Sequence, residues 1–400
     1  MSSTSGRRAL VIGASISGLA AAAQLRRAGW SVEIFERSEI ELKGRGAGIM
    51  THPELVEVLE ESGADTSDLG IAIDGRATFD AAGAIIGTWP LPQIVTSWDR
   101  LQGLFRRLVP ADAHHLGRAL VGIEQDESGV TARFAEGSCA RGDLLVAADG
   151  FRSAARAQYA PEVQPIYAGY VIWRGVCDEA ALPPETHRAL ARWLAFFLSP
   201  GGEALGYLIP GLEDDLRPGR RRYNWVWYRA ASEDWLNDAL TDADGRYHAF
   251  SIPPPLVRDD LIAAMRQDGE RILAPQFLAG LRCITRPFFT PIYDFASERL
   301  AFGRVALIGD AAFLARPHVG MGVTKGAADA RALANALATE PDIPAGLRRY
   351  EAERKPIGER SVRRGRELGR FLGPTERGSA PGHDHMVLMR ETAVTDFLHV

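Results

Sequence analysis

Residues 8–36 read RALVIGASISGLAAAAQLRRAGWSVEIFE, in which two apolar runs flank a glycine-containing turn and an alanine-rich run. The first apolar run, Arg8–Ile12, ends at Gly13, and residues 19–28 consist mainly of strong helix formers. Ser31–Phe35 is a second run whose residues favour a β-strand. This order predicts one βαβ unit with parallel strands and a right-handed crossover.

The turn of this unit, GASISG at residues 13–18, is a dinucleotide-binding fingerprint with one substitution. Gly13 permits the tight turn, Gly18 lets helix and strand pack closely, and the helix N-terminus would face a pyrophosphate. Ser15 stands where glycine is usual. Glu36 follows the second strand, where its carboxylate can accept a hydrogen bond from a ribose hydroxyl. The pattern predicts a dinucleotide site without separating NAD from FAD, and an ordinary strand-to-helix turn is the alternative.

The composition describes a globular chain large enough for two cores, with 400 residues of which 46% are hydrophobic and 24% charged. The net charge of -5, from 46 basic and 51 acidic residues, provides no basic field for nucleic acid. Cys139, Cys177 and Cys283 form no Cys-x-x-Cys pair, so neither a disulfide framework nor a thiolate metal site is indicated. No apolar segment approaches the roughly 20 residues that cross a bilayer. We therefore expect a cytoplasmic protein without nucleic-acid or membrane partners.

Two later segments each place an acidic residue beside a glycine at the end of an apolar run. Residues 143–150 read DLLVAADG and contain Asp149, and residues 303–312 read GRVALIGDAA and contain Asp310. Continuous apolar runs predict strands that are covered on both faces, which puts both carboxylates at strand ends. Carboxylates in that position can accept hydrogen bonds from ribityl hydroxyls, which favours FAD over NAD.

The second of these segments is followed by a loop that contains proline and glycine and precedes a predicted helix. Pro317 precedes Gly320, Met321 and Gly322, after which the pattern predicts a helix that contains Asp329. Backbone amides at the start of a helix can stabilise the negative charge that a reduced isoalloxazine carries. The loop is therefore a candidate flavin site.

These ordered motifs resemble the flavoprotein aromatic hydroxylases typified by p-hydroxybenzoate and salicylate hydroxylases, over about residues 8–372. Within that family the likeness is strongest to the 2,6-dihydroxypyridine 3-hydroxylases. The residues that carry this likeness are Gly13-Ala-Ser-Ile-Ser-Gly18, Pro53-Glu-Leu-Val56, Tyr167-Ala-Gly-Tyr170, Trp173-Arg-Gly-Val176 and Arg316-Pro-His318. Phe313, Met321 and Thr324 depart from the commoner family pattern.

The resemblance implies further contacts with FAD. The segment GRGAGI at residues 44–49 should wrap the flavin, because repeated glycines let backbone amides approach closely. Arg100, in a predicted helix with Leu104 and Leu108 on one face, should lie near the FAD phosphates, with a solvated helix arginine as the alternative. The predicted FAD-binding residues are Gly13, Ser15, Ile16, Ser17, Gly18, Glu36, Arg37, Arg45, Gly46, Ala47, Gly48, Arg100, Asp149, Asp310, Pro317, Gly320, Met321 and Gly322.

Candidate catalytic residues are His318, Tyr207 and Trp227, because substrate must lie between the flavin loop and an aromatic-rich sheet. Strand alternation puts Trp225 and Trp227 on one face, so both face the substrate or neither does. His318 could orient a ring hydroxyl, or it could be a packing residue. His383 and His385 are spaced like metal ligands, but a solvated stretch is the preferred interpretation and no metal is predicted.

The predicted fold is α/β: a Rossmann-like FAD-binding domain of the p-hydroxybenzoate hydroxylase type, an inserted substrate domain with a mixed or antiparallel sheet, and a C-terminal helix. The predicted boundaries are residues 1–72, 99–163 and 288–340 for the FAD-binding domain, 73–98 and 164–287 for the substrate domain, and 341–373 for the C-terminal helical segment. Residues 374–400 form a tail in which glycine, proline, histidine and charge predict little order.

The resemblance implies an FAD-dependent monooxygenase that hydroxylates a small phenolic or hydroxypyridine-like ring with NADH or NADPH and O2. In the family's mechanism, reduced nicotinamide transfers hydride to FAD, oxygen adds to the reduced flavin, and the resulting hydroperoxide donates oxygen to the ring. One alternative is a different flavin-dependent oxidation, by an epoxidase or a halogenase. Another is a non-catalytic FAD-binding protein. The oligomeric state stays open, with a homodimer as one alternative.

Overall fold

A computed structural model describes residues 6–42, 48–199, 201–372 and 384–398. Within these ranges the chain folds into three β-sheets with associated helices. The predicted residues Arg45, Gly46, Ala47 and His383 lie outside the described residues.

The strands are β1 (Arg8–Ile12), β2 (Ser31–Phe35), β3 (Gly48–Met50), β4 (Ile71–Phe79), β5 (Ile85–Ser97), β6 (His114–His115), β7 (Leu120–Asp126), β8 (Gly129–Phe134), β9 (Cys139–Gly142), β10 (Leu144–Ala147), β11 (Ile166–Asp178), β12 (Trp193–Ser199), β13 (Gly202–Ile209), β14 (Arg222–Ala230), β15 (Phe288–Ala296), β16 (Ala301–Phe302), β17 (Val305–Leu307) and β18 (Phe313–Leu314). The α-helices are α1 (Ile16–Arg27), α2 (Pro53–Glu61), α3 (Trp98–Arg106), α4 (Ala154–Tyr159), α5 (Pro184–Leu190), α6 (Glu233–Ala239), α7 (Asp259–Ile272), α8 (Pro275–Cys283), α9 (Gly322–Thr339), α10 (Ile343–Leu368) and α11 (His385–Glu391).

A six-stranded sheet has the order β16-β17-β10-β1-β2-β6, and all its pairs except β16 with β17 are parallel. The register of β1 with β2 runs from Arg8 opposite Ser31 to Ile12 opposite Phe35. Helix α1 connects these two strands, which confirms the predicted βαβ unit. The central strands are buried along their length, as their continuous apolar sequences predicted.

A nine-stranded mixed sheet has the order β18-β15-β11-β14-β13-β12-β4-β5-β3, in which only the pair of β12 with β4 is parallel. Its side chains alternate between two faces. One face packs against α7 and α8, and the other faces the start of α9. These are called below the helix-covered face and the cavity face. A smaller antiparallel sheet, β7-β8-β9, lies beside β1 and β10.

The chain after α9 is mostly helical. Helix α10 begins after Asp342, whose side chain accepts a hydrogen bond from the amide of Ala345 at 2.7 Å. The prediction of little order beyond residue 374 is wrong for residues 384–398. Helix α11 buries Leu388 and Met389 against the nine-stranded sheet, because the short apolar run MVLM supplies one packed face. Among the helices in the described ranges, none combines the length and apolarity needed to span a membrane.

Candidate active site

The turn after β1 requires glycine at both fingerprint positions. Gly13 has φ of 101°, and a side chain there would overlap the carbonyl oxygen of Ala148 at the end of β10. A side chain on Gly18 would overlap the carbonyl oxygen of Gly13. The turn therefore brings the N-terminus of α1 against the carboxyl end of the parallel sheet, where nucleotides bind in open α/β sheets.

Glu36 is buried at the end of β2 and joins that strand to the turn. Its Oε2 accepts a hydrogen bond from the amide of Ala14 at 2.9 Å, and its Oε1 accepts one from the amide of Ser38 at 2.9 Å. Each carboxylate oxygen retains a second lone pair for a ribose hydroxyl. The neighbouring Arg37 is exposed.

The two acidic residues at strand ends point in different directions. Asp149 Oδ2 accepts hydrogen bonds from the amides of Ala154 at 2.8 Å and Ala155 at 3.4 Å, so this carboxylate holds the start of α4. The Asp310 side chain is 46% exposed and lines a cavity, with Nζ of Lys325 3.9 Å from its Oδ1. Of the pair, only Asp310 faces the space between the two large sheets.

The turn after β17, which contains Gly309, is held by buried polar contacts. Asp329 Oδ2 accepts from the amide of Gly309 at 2.9 Å, and its Oδ1 accepts from Nε of Arg354 at 2.7 Å. Asp329 therefore joins the turn after β17 to α9 and α10. At Gly322, the first residue of α9, an added side chain would meet nothing within 4 Å, so this helix start is open.

A cavity of about 620 Å³ lies between the flavin loop and the cavity face of the nine-stranded sheet. The predicted site residues that line it are Ser15, Ile16, Ser17, Gly48, Tyr207, Asp310, Pro317, His318, Gly320, Met321 and Gly322. Those that do not are Gly13, Gly18, Glu36, Arg37, Arg100, Asp149 and Trp227. The cavity therefore unites the start of α1, the start of α9 and the aromatic sheet.

The tryptophans of β14 lie on the other side of the sheet. Trp225 and Trp227 are fully buried, and Trp225 Nε1 donates to the carbonyl of Phe277 in α8 at 2.9 Å. The assignment of Trp227 as a catalytic residue is therefore wrong, and of the two alternatives for this pair, neither tryptophan faces the cavity. Helices α7 and α8 cover their face, and the alternate residues of the strand, Asn224 and Tyr228 among them, line the cavity instead.

Both ring nitrogens of His318 face protein groups. Nε2 lies 3.0 Å from the hydroxyl of Tyr170, and Nδ1 lies 3.7 Å from Oε2 of Glu203. The ring stacks on Tyr228 with centroids 4.5 Å apart, and the residue is 1% exposed. This geometry favours the packing alternative for His318 over direct contact with a ring hydroxyl.

Glu203 in β13 is a buried carboxyl group that the sequence did not mark as functional. It is 0% exposed, and neither of its oxygens has a hydrogen-bond partner within the described part of the chain. Burial raises the pKa of Glu203 to about 8. The group is therefore largely protonated at neutral pH beneath His318 and Tyr228.

Tyr207 occupies the cavity face beside Gly48. A side chain on Gly48 would overlap the Tyr207 ring, so this glycine makes room for the tyrosine. Burial raises the pKa of Tyr207 to about 12, although the nearby guanidinium of Arg174 acts in the opposite direction. Tyr207 therefore presents a neutral hydroxyl.

Arg100 does not reach the cavity. Its amide donates to Oγ of Ser97 at the start of α3, and its Nη1 donates to the carbonyl of Asp214 at 3.3 Å. The contact of Arg100 with FAD phosphates stays a prediction.

Residues 384–398 close one wall of the cavity through Thr392 and Ala393. The Ala393 amide donates to the carbonyl of His318 at 3.0 Å, and its carbonyl lies 3.1 Å from Nε2 of His52. Ala393 has φ of 53°, and its side chain packs so closely on Gly320 that a side chain there would overlap it. The segment is thus joined to the flavin loop.

The residues present fit FAD. The Gly13 turn provides the close backbone approach that a pyrophosphate needs, and Gly322 leaves open space at the start of α9. Asp310 supplies an exposed carboxylate between them. The remaining volume is walled largely by apolar and aromatic side chains, which suits a small aromatic molecule.

Comparisons with known proteins identify the family. Models of an NAD(P)-binding Rossmann-like domain, an FAD binding domain-like region and an FAD binding domain match residues 11–45, 167–294 and 286–365. The chain is 33% identical over 359 residues to 2,6-dihydroxypyridine 3-monooxygenase of Paenarthrobacter nicotinovorans, covering 90% of this chain and 89% of that protein.

Solved structures show the same fold. 2,6-Dihydroxypyridine-3-hydroxylase from Arthrobacter nicotinovorans matches with a TM-score of 0.86 at 31% identity, covering 94% of this chain and 95% of that one. Klebsiella pneumoniae HpxO complexed with FAD and uric acid matches with a TM-score of 0.74 at 25% identity, covering 96% of this chain and 93% of that one. The chain therefore belongs to the FAD-dependent aromatic-ring monooxygenases, the family that the motifs at residues 13–18, 149–150 and 309–310 predicted.

Proposed function

We propose that this monooxygenase hydroxylates a small ring that already carries a hydroxyl group, of the phenol or hydroxypyridine type, with O2 and reduced nicotinamide. The observation that carries the proposal is the shared cavity, in which Asp310 and the start of α9 face the aromatic wall of the nine-stranded sheet. The name of the relative at 33% identity specifies a dihydroxypyridine, which is a ring of this class.

The overall reaction consumes one NAD(P)H, one proton, one O2 and one ring C–H group. It yields NAD(P)⁺, one water and one ring C–OH group, so that the nicotinamide and the ring each supply two electrons to oxygen. FAD, when bound, supplies the redox chemistry that couples these partners.

The protein's own groups bind and orient. Gly13, Ser15 and the start of α1 would hold the dinucleotide, and Asp310 would accept from a flavin hydroxyl. Tyr207 and Tyr228 provide flat apolar surface for a ring. The apolar wall limits the water that reaches the ring, which favours coupling of NAD(P)H oxidation to product over release of hydrogen peroxide.

Turnover with a panel of rings tests the proposal. The purified flavoprotein is supplied with NADH or NADPH and with hydroxypyridines, hydroxybenzoates or matched rings without a hydroxyl. We expect a hydroxylated ring to accelerate NAD(P)H oxidation and to give a product one oxygen atom heavier, with that atom derived from labelled O2. NAD(P)H oxidation that yields only hydrogen peroxide with every ring would contradict the proposal. An epoxide or halogenated product would replace it with another flavin reaction.

Asp310→Ala tests the cofactor assignment. We expect FAD affinity to fall roughly 10- to 100-fold, because a hydrogen bond to a charged group is typically worth about 1.5–3 kcal/mol. Flavin retention is measured by equilibrium dialysis, with Asp68→Ala, an exposed carboxylate away from the cavity, as the matched control. Equal retention in both variants would exclude this role for Asp310.

We also propose a cytoplasmic location. Cys139, Cys177 and Cys283 are free cysteines in the fold, as suits a reducing compartment. Cell fractionation with an antibody to the protein tests this location, and recovery outside the cytoplasmic fraction would contradict it.

A further inference from the structure

Arg174 in β11 brings an uncompensated positive charge to the cavity. The residue is partly buried and lines the cavity opposite Val226 and Phe288 in the sheet register. Within the described ranges, no carboxylate oxygen lies within 4 Å of its guanidinium, and its buried Nε has no hydrogen-bond partner.

Two other arginines of the same sheet region have acidic partners, whereas Arg76 in β4 donates only to uncharged oxygens of Gln93, Thr392 and Ala393. Arg316 also lines the cavity, but its Nε contacts Asp294 at 2.7 Å. Arg229 on the helix-covered face contacts Asp268 at 3.1 Å. Removing a guanidinium from water without a counter-charge costs free energy, and an anionic ligand in the cavity would supply that counter-charge.

Asn224 in β14 gives a second, independent indication of a ligand. It lies on the cavity face with Arg174, is 1% exposed and lines the cavity. Its side-chain amide interacts with the Tyr207 hydroxyl, while its Oδ1 is buried and has no hydrogen-bond partner in the described chain. An unpaired amide oxygen of this kind is satisfied by an N–H or O–H donor.

We propose that Arg174 binds an anionic oxygen of the substrate and that Asn224 Oδ1 accepts a hydrogen bond from a donor on the same molecule. This inference rests on the proposed function and narrows its substrate class. An anionic oxygen has two sources on a small ring, an ionised ring hydroxyl or a ring carboxylate. An ionised hydroxyl also enriches the ring in electrons, which favours attack by an electrophilic oxygen.

Equilibrium binding to the FAD-loaded protein, without NAD(P)H, tests the subsite independently of turnover. The ligands are a dihydroxypyridine, a pyridine carboxylate and the methyl ether of the dihydroxypyridine, titrated by flavin absorbance and by calorimetry. The variants are R174Q, R174K and N224A, with R229Q as the matched control from the opposite face. Thermal unfolding of each variant verifies that it is folded.

We expect R174Q to weaken binding of the anionic ligand roughly 10- to 100-fold, as loss of a charge-assisted hydrogen bond predicts. R174K should retain part of the affinity, because it keeps the charge but not the planar fork. N224A should weaken binding of ligands that have a ring donor. The affinity of R229Q for the anionic ligand should stay within about twofold of that of the unchanged protein, because the Arg229 side chain faces α7.

The dependence on pH distinguishes the two sources of the anion. If the anion is a ring hydroxyl, affinity for the dihydroxypyridine rises through the pKa of the ligand's own hydroxyl and the rise is lost in R174Q. If the anion is a carboxylate, the unchanged protein binds the pyridine carboxylate tightly across the pH range, and R174Q binds it more weakly.

Equal binding of both anionic ligands by R174Q and the unchanged protein would overturn the inference. So would loss of FAD from R174Q with ligand affinity intact, since Arg174 would then serve the cofactor. Reduced ligand affinity in R174Q, together with failure of every ring to be hydroxylated, would keep the subsite and refute the proposed function.

Discussion

The two faces of the nine-stranded sheet differ in how their arginines are paired: Arg229 on the helix-covered face contacts Asp268, whereas Arg174 on the cavity face has no acidic partner in the described ranges. Trp225 and Trp227 on the helix-covered face are fully buried beneath α7 and α8. On the cavity face of the same strand, Asn224 and Tyr228 border a cavity that also receives Arg174. Both faces are rich in aromatic side chains, so aromatic content alone does not identify the substrate side. A charged side chain without an acidic partner, Arg174, does, whereas unpaired neutral groups such as the Tyr223 hydroxyl also occur on the helix-covered face.

This difference predicts a division between stability and activity. Side chains on the helix-covered face contribute packing, so their removal should lower the free energy of unfolding. Polar groups on the cavity face cost stability when they are unpaired and contribute to binding instead. Substitutions on the helix-covered face should therefore lower the free energy of unfolding, and substitutions on the cavity face should change ligand binding.

Trp225→Ala should have the largest effect. We expect the free energy of unfolding to fall by about 3–5 kcal/mol, because a large buried ring is replaced by a cavity. Denaturant unfolding measures the loss, and turnover per bound flavin should stay within about twofold at a temperature where the variant is folded. A loss of turnover without a loss of stability would contradict the proposal that the helix-covered face contributes to stability and the cavity face to activity.

Glu203→Gln should change how stability depends on pH. Burial raises the pKa of Glu203 to about 8, so the folded protein retains a proton that the unfolded chain releases at lower pH. The contribution of this group to stability is present below its ordinary unfolded pKa and is lost as pH rises towards 8. The variant should therefore gain about 2–4 kcal/mol relative to the unchanged protein between pH 5 and pH 8.

Thermal unfolding of the FAD-loaded protein across that pH range measures this gain. Glu162→Gln, at an exposed position, is the matched control. The free energy of unfolding of this variant should differ from that of the unchanged protein by the same amount at every pH. If the free energy of unfolding of Glu203→Gln also differs from that of the unchanged protein by the same amount at every pH, the carboxyl group of Glu203 is ionised in the folded protein.

Tyr207→Phe should have the smallest of these effects. We expect a roughly fivefold rise in KM for the hydroxylated ring, corresponding to about 1 kcal/mol for one neutral hydrogen bond. Its midpoint of unfolding should be unchanged. Tyr223→Phe on the helix-covered face is the control, since the Tyr223 hydroxyl is buried without a partner in the described chain and its loss should not affect KM. Equal KM changes in both variants would count against a ligand contact by Tyr207.

The parallel sheet was predictable because its signals are local. The turn at residues 13–18 and the apolar runs before Asp149 and Asp310 each specify a strand and the turn that follows it within a few residues. The positions of Gly13, Gly18 and Asp310 follow from this local chemistry.

The cavity face was not predictable in the same way. Alternation along β14 separates Trp225 from Asn224, but which set faces the substrate depends on where α7 and α8 pack, some 30 to 60 residues later. Arg174 and Glu203 are notable only because Arg174 lacks an acidic partner and Glu203 lacks hydrogen-bond partners in the described fold. A sequence alone does not show which contacts a side chain lacks. The packing of residues 384–398 on His52 and His318 is equally non-local.

The wall formed by Thr392 and Ala393 has a consequence for biosynthesis. These residues leave the ribosome after every other residue that lines the cavity. Domains fold as units during synthesis, so the parallel sheet and the start of α9 are able to assemble before this wall exists. Flavin could then reach the site from this side, before Ala393 packs on Gly320 and adds the last wall. A translating chain would thus be able to form its cofactor site before the wall of Thr392 and Ala393 is in place.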